Sequence, residues 1–186
     1  MNSWTKKVSG DGLSYGDMDT LAAKINPGSD GLSILPFGNG AERMLRNKKV
    51  GAHINNIDFN RHGTAHIYRA AQEGIAFAFR YGLDILKVNG LLPTVIRAGK
   101  ANLFFSEIFI ESFVNCTDIP VELYSNDGSV GAALGAGIGQ GLYVSTNEAF
   151  RNFKPLRKIE PTHNKLYNDL YNDWKKLLEQ YLIIAG

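Results

Sequence analysis

The sequence predicts an α/β domain, because strand-like segments alternate with helix-like segments along the chain. Two strand–loop–helix units follow one another between residues 94 and 141, and each has small residues at its turn. The 186 residues are enough for one sizeable core, and they show neither an internal repeat nor a linker between independent cores. We therefore expect a single domain spanning residues 1–186.

The N-terminal third predicts a short helix and two strands. Turn residues at positions 10–12 precede residues 17–24, whose apolar members fall on one face of a helix. Residues 32–37 favour a strand that is ended by the glycines of residues 38–40. Residues 51–57 favour a second strand.

The clearest helix is predicted to begin near Thr64, which we expect to be its N-cap, and to run to Val88. Apolar residues recur along it at spacings of three and four and are expected to form one buried stripe: Tyr68, Ala71, Ile75, Phe79, Leu83 and Leu86. Asn89 and Gly90 then end the helix.

The second half of the chain predicts two further strands, each followed by a helix. Residues 94–96 favour a strand, and residues 102–115 favour a phenylalanine-rich helix. Pro120 opens what we expect to be the last strand, which a helix of small residues follows. A linker through residues 154–156 then leads to a closing amphipathic helix.

Composition argues against two classes of partner. The formal net charge is only +2 and the basic residues are scattered, so neither nucleic acid nor a membrane is an expected partner. Cys116 is the only cysteine, which excludes an internal disulfide and favours a cytoplasmic location. We expect Cys116 to be a small buried hydrophobe rather than a nucleophile.

The familiar short motifs predict no catalytic centre and no metal site. A P-loop pattern is missing, and the glycines at 135–141 lie inside a predicted helix rather than after a strand. His62 and His66 have a spacing that can hold zinc, but no third ligand is evident, and we expect them to bond locally at a helix start. Asp58, Glu107 and Asp127 are single carboxylates without a visible partner for acid–base chemistry.

Several short segments, taken in order, resemble the FGGY carbohydrate kinases. Residues 69–77 are similar to the Arg-Ala-x-x-Glu-Gly-x-Ala-Phe segment of that family, and residues 131–136 to its last adenosine-site segment. Residues 31–43 resemble its leucine-proline strand and Gly-Glu-Arg loop, with Ala41 inserted. Trp4 resembles a tryptophan that follows a nucleotide-contacting helix start.

The resemblance implies a fold and an activity. The fold would be the C-terminal, ATP-binding lobe of the actin-like, ribonuclease-H-like sugar kinases, incomplete at its N-terminal side. The intact protein would transfer the γ-phosphate of ATP, with magnesium, to a hydroxyl of a sugar such as xylulose or a related ketopentose. In the family, the sugar site and the catalytic aspartate precede this segment, so the resemblance implies no catalytic residue here and an inactive chain on its own.

The resemblance also implies which residues hold the nucleotide. Six residues are expected to contact it, with Asn102 beside the adenine: Arg97, Ala98, Gly99, Lys100, Asn102 and Gly131. The glycine-rich run of the family has become Arg97-Ala98-Gly99 in this chain. The positive charges of Arg97 and Lys100 either favour phosphates or alter the nucleotide preference.

Two other functions remain open at the level of sequence. One is a stand-alone module that binds a nucleotide or a partner without chemistry, and the other is a scaffold whose glycines only permit tight helix packing. A lobe taken from a two-lobed kinase would also expose part of its core, so the chain is expected to be capable of forming a homo-oligomer.

Overall fold

The computed structural model describes residues 1–9, 12–40, 42–125, 128–151 and 153–185. The described helices are α1 (Asn2–Ser9), α2 (Tyr15–Ala22), α3 (Thr64–Val88), α4 (Glu107–Thr117), α5 (Gly128–Gly139), α6 (Thr146–Ala149) and α7 (Asn164–Ile184). The described strands are β1 (Ser33–Phe37), β2 (Gly51–Asn55), β3 (Ile96–Gly99), β4 (Val121–Tyr124) and β5 (Arg157–Ile159). The predicted α/β class is confirmed.

The strands form two small sheets. β1 and β2 pair antiparallel, with Ile34 opposite Ile54. In the second sheet β4 lies in the middle, parallel to β3 and antiparallel to β5. The parallel pair requires a crossover, and α4 supplies it between β3 and β4.

The long helix α3 packs against β1 without a side chain between the two backbones. A Cβ added at Gly74 would lie 2.2 Å from the carbonyl oxygen of Ile34, so only glycine fits at this contact. The same carbonyl accepts a hydrogen bond of 2.8 Å from Nε1 of Trp174, which is buried on α7. One peptide group of β1 therefore fixes both α3 and α7.

The residue that precedes Gly74 carries a buried charge. The carboxylate of Glu73 accepts a 2.8 Å hydrogen bond from Nε of Arg69, and both side chains are 3% exposed. Glu73 also accepts a hydrogen bond from the backbone N–H of Gly28 at 3.0 Å. Burial raises the pKa of the Glu73 carboxyl, and the neighbouring Arg69 guanidinium opposes that shift. Since Gly28 begins four consecutive residues with positive φ, this carboxylate anchors a left-handed turn.

The prediction of a buried stripe on α3 was right for its first half and wrong for its second. The helix spans the predicted residues, although its N-cap is Gly63 and not Thr64, and Tyr68 and Ala71 are fully buried. Phe79 is 52% exposed and Leu86 is 43% exposed. Neighbouring elements cover α3 on all sides as far as Ala78, whereas beyond that residue its apolar face reaches solvent.

Several predicted boundaries also differ from the structure. A helix, α1, forms in a segment for which no element was predicted. The helix expected over residues 102–115 is divided into a 3₁₀ turn, Asn102–Phe105, and α4, because Ser106 caps α4 by accepting the N–H of Phe109. β4 is not the last strand, since β5 follows the expected linker. The turn expected at residues 10–12, the inserted Ala41 and the carboxylate of Asp127 lie wholly or partly outside the described residues.

The prediction that Cys116 is a buried hydrophobe is confirmed. Its side chain has no exposure, and burial raises the pKa of its thiol far above the ordinary value. None of the helices in the described part of the chain is long and apolar enough to cross a membrane.

Two glycines of α3 provide a matched test of this packing. We expect Gly74→Ala to lower the free energy of unfolding by about 3 kcal/mol or more, because its Cβ would meet backbone. We expect Gly82→Ala to be neutral or to raise it by up to about 1 kcal/mol, because its nearest neighbour is Sδ of Met44 at 3.8 Å. Urea unfolding of both variants measures the difference, and equal effects would contradict the close α3–β1 contact.

Candidate functional site

The sheet of β3, β4 and β5 has one core face and one outer face. Ile96 and Ala98 of β3 pack against the core, together with the buried Val121 and Leu123 of β4. Side chains alternate along a strand, so the intervening residues point the other way. We call this second surface the outer sheet face, and it carries Arg97, Gly99, Glu122, Tyr124 and Lys158.

A single carboxylate organises the outer sheet face. Glu122 accepts hydrogen bonds from Nε of Arg97 at 3.1 Å and from the hydroxyl of Tyr124 at 2.7 Å, and Nζ of Lys158 lies 3.0 Å from it. The hydrogen bond from Tyr124 and then that from Lys158 lower the pKa of Glu122 to about 2. Glu122 is therefore ionised at neutral pH and holds the Arg97 guanidinium in place.

A cavity of about 610 Å³ lies between this face and the helices α5 and α6. We call it the β3 cavity. The sheet contributes Arg97, Ala98, Gly99 and Tyr124, and the helical side contributes Gly128, Gly131, Thr146, Asn147, Phe150 and Phe153. A Cβ at Gly128 or Gly131 would meet open space, so the helical wall is bare backbone where these residues line it.

A second cavity, of about 510 Å³, lies where α1 and α2 meet the start of α4. We call it the α1 cavity. Asn2, Tyr15, Asp19, Gln72, Asn102 and Phe105 are among its lining residues. Two residues, Lys100 and Ala101, lie between Gly99 of the first cavity and Asn102 of the second, so the Cα atoms of Gly99 and Asn102 are at most about 11 Å apart.

The structure brings most of the predicted nucleotide contacts to the end of β3. Arg97, Ala98, Gly99 and Gly131 line the β3 cavity, and Asn102 lines the α1 cavity. The side chain of Lys100 is exposed between them, and its backbone N–H donates to the carbonyl of Tyr124 at 2.8 Å.

One detail of this prediction was wrong. The residues 97–99 belong to β3 rather than to a turn, because their backbone pairs with β4 in register. The turn begins at Lys100, and Asn102 opens the following 3₁₀ turn with a left-handed φ of 52°.

Sequence reasoning missed the polar cluster in the wall of the α1 cavity. The carboxylate of Asp19 accepts hydrogen bonds from the amide of Gln72 at 3.0 Å and from the backbone N–H of Glu107 at 3.1 Å. The hydroxyl of Ser106 also contacts Asp19 and Gln72. Because Asp19 is 53 residues from Gln72 and 88 from Glu107 along the chain, no local pattern could have identified the cluster.

The histidine pair bonds locally, as predicted. Nδ1 of His62 accepts the backbone N–H of Asp58, and Nδ1 of His66 accepts that of Gly63. Nε2 of His66 lies 3.2 Å from the carboxylate of Asp30. Within the described part of the chain, no three histidine, cysteine or acidic side chains come together as a set of metal ligands.

The fold of this chain is also found in solved structures of sugar kinases. No protein-family model matches the chain. The crystal structure of xylulose kinase from Rhodospirillum rubrum matches 99% of this chain with a TM-score of 0.80 and 25% identity, and this match covers 38% of that structure. Plasmodium falciparum glycerol kinase, solved with ADP, matches 97% of this chain with a TM-score of 0.77 and 21% identity, over 36% of that structure. The fold is that of the actin-like, ribonuclease-H-like sugar kinases, and the coverage agrees with one lobe of such an enzyme.

Among curated sequences, the chain is similar to xylulose kinases. The chain is 27% identical to xylulose kinase from Lactococcus lactis over 185 residues, which are 94% of this chain and 36% of that protein. It is 28% identical to xylulose kinase from Haemophilus influenzae over 174 residues, which are 89% of this chain and 33% of that protein. The resemblance to the FGGY carbohydrate kinases is thereby confirmed, and the chain spans about a third of the length of the curated relatives it matches.

The low pKa of Glu122 predicts how the free energy of unfolding changes at acid pH. A carboxyl group whose pKa is lower in the folded protein than its ordinary value stabilises the fold at pH values above that ordinary pKa. This stabilisation is lost as the pH falls towards the pKa of the group in the folded protein. We therefore expect the wild-type protein to lose more stability between pH 4.5 and pH 2 than Glu122→Gln does. Urea unfolding at a series of pH values measures both profiles.

Glu179→Gln is the matched control, because Glu179 lies on an exposed face of α7, 3.9 Å from Nζ of Lys175. This control is expected to follow the wild-type profile. Parallel profiles for wild type and Glu122→Gln would contradict the role given to Glu122.

Proposed function

We propose that the chain, as a single domain over residues 1–186, is the nucleotide-binding lobe of an ATP-dependent carbohydrate kinase that resembles xylulokinase. The intact enzyme would transfer the γ-phosphate of ATP to a hydroxyl of xylulose or a related ketopentose. This lobe would hold the adenosine part of ATP at the end of β3. The sugar and the terminal phosphates would be held by sequence outside this chain.

One observation carries the proposal. Residues that were chosen from the resemblance alone converge on two cavities that flank the residues 99–102. The similarity to xylulose kinases extends over 94% of the chain, so the site lies within the matched region. If the base lies beside Asn102 in the α1 cavity, the rest of the nucleotide would lie at Gly99.

The chemistry of the lining residues fits a nucleotide. The amide of Asn102 can pair with the edge of a base, and the ring of Phe105, which is 67% exposed, offers a surface for stacking. Gly131 leaves room for close approach of the ligand to the backbone of α5. ATP is accompanied by magnesium in phosphoryl transfer. The described residues offer the metal no cluster of ligands, so we assign no magnesium ligand to this lobe.

The alternative is a stand-alone module that binds a nucleotide or a partner without catalysis. Both cavities are formed by this chain alone, which favours binding without the other lobe. The cytoplasmic location and a homo-oligomer stay predictions. The apolar surface of α3 at Phe79 and Leu86 is where we expect self-association.

Two glycines of α5 test the nucleotide site. We expect Gly131→Leu to fold normally, because a side chain at this position would meet open space, and to weaken ADP binding about tenfold or more by filling the β3 cavity. Gly135→Leu is the matched control, because it adds the same side chain four residues further along, outside the lining of the cavity. Isothermal titration calorimetry compares the two, and equal affinities would argue against this site.

The chain by itself is expected to show no kinase activity. The resemblance assigns the catalytic aspartate and the turn that holds the terminal phosphates to sequence outside this chain, and phosphoryl transfer requires both groups in position. A coupled assay of ADP release with ATP, magnesium and xylulose measures the rate. Phosphorylation of the sugar above a no-enzyme control would show that this division of roles is wrong.

A further inference from the structure

Arg97 is the residue of the candidate site that the resemblance does not explain. The FGGY pattern has glycine where this chain has Arg97, yet the side chain is fixed rather than free. Its Nε donates to the carboxylate of Glu122, which also accepts a hydrogen bond from the hydroxyl of Tyr124. The side chain is 61% exposed and lines the β3 cavity, so a ligand can reach it.

The outer sheet face carries more positive than negative charge. Arg97 and Lys158 share the single carboxylate of Glu122, which leaves a net charge of +1 in this group (two cations and one anion). The exposed Lys100 follows at the end of β3. An anionic group in the β3 cavity would therefore be attracted, even though Glu122 already holds Arg97.

The geometry also suits a phosphate group. A guanidinium has five N–H donors in a planar fork, and the hydrogen bond to Glu122 uses the one at Nε, which leaves part of that fork for a ligand. Phosphate oxygens match such a fork and gain from its charge. Among the described residues, no heavy atom lies within 4 Å of a Cβ added at Gly128 or Gly131, which leaves room there for a bulky tetrahedral group.

We propose that Arg97 binds a phosphate group in the β3 cavity, held for this purpose on the outer sheet face by Glu122, whose carboxylate also accepts the hydroxyl of Tyr124. The inference rests on the proposed function, in which the nucleotide lies at the end of β3 and supplies the phosphate. A phosphorylated sugar offers the same chemistry and is the other source. Arg97 thus adds to this lobe a phosphate contact that the glycine of the family pattern cannot make.

The test compares ligands that contain phosphate with one, adenosine, that does not. Adenosine, ADP, xylulose 5-phosphate and inorganic phosphate are titrated calorimetrically into the wild-type chain, Arg97→Gly, which restores the family residue, and Arg97→Lys. Arg97→Gly is expected to lower the affinity for ADP about tenfold or more and to leave the affinity for adenosine unchanged. Arg97→Lys should recover part of the loss, because it keeps the charge without the fork.

Arg157→Gly is the matched control. Arg157 belongs to the same sheet and is similarly exposed, but it pairs with Glu107 at 2.7 Å and does not line the β3 cavity. It is expected to bind every ligand as the wild type does. Unfolding midpoints of all variants establish that the comparison is made between folded proteins.

The outcomes separate this inference from the proposed function. Unchanged ADP affinity in Arg97→Gly, or an equal loss for adenosine, would overturn the phosphate contact while leaving the nucleotide site in place. If wild type binds xylulose 5-phosphate or inorganic phosphate through Arg97 but neither adenosine nor ADP, the phosphate site stands and the nucleotide function fails. If wild type binds none of the four ligands, both are overturned.

Discussion

The contact between Gly74 and the Ile34 carbonyl is the constraint on which the other packing depends. It brings α3 against β1 at backbone distance, and the same carbonyl takes the indole N–H of Trp174 from α7. Glu73, one residue earlier, then lies inside the protein, where only Arg69 and the turn at Gly28 make its charge tolerable. A glycine at a backbone contact and a buried ion pair are thus adjacent in sequence.

The core lies on the other face of the sheet from the candidate site, so the residues of the site can be polar. α4 packs on α3 and connects β3 to β4, so the helix layer fixes the parallel pair of strands from one side only. The opposite face of those strands carries Arg97, Glu122 and Tyr124, and Glu122 accepts a hydrogen bond from each of the other two. The end of β3 therefore combines a rigid backbone with a charged, accessible surface, which is the combination that binding a nucleotide requires.

The sequence was informative where local chemistry decides the structure. The period of α3 predicted its bounds, and the Arg-Ala-x-x-Glu-Gly segment predicted a fold that the solved structures confirm. Phe79 shows the limit of periodicity, which identifies an apolar face but not what covers it. β5 is short and charged, so only its pairing with β4 makes it a strand. Asp19 acts through partners distant in sequence, and Gly99 and Asn102 are divided between two cavities by a turn whose path was not predictable.

The central claim is that the end of β3 is a nucleotide site, and amide NMR of the ¹⁵N-labelled chain during titration with ADP tests it most directly. The account predicts that chemical-shift changes cluster at residues 97–102 and at Gly131. Changes confined to the separate cavity of about 200 Å³ beside Glu73 and Trp174, or no saturable change at any residue, would contradict it.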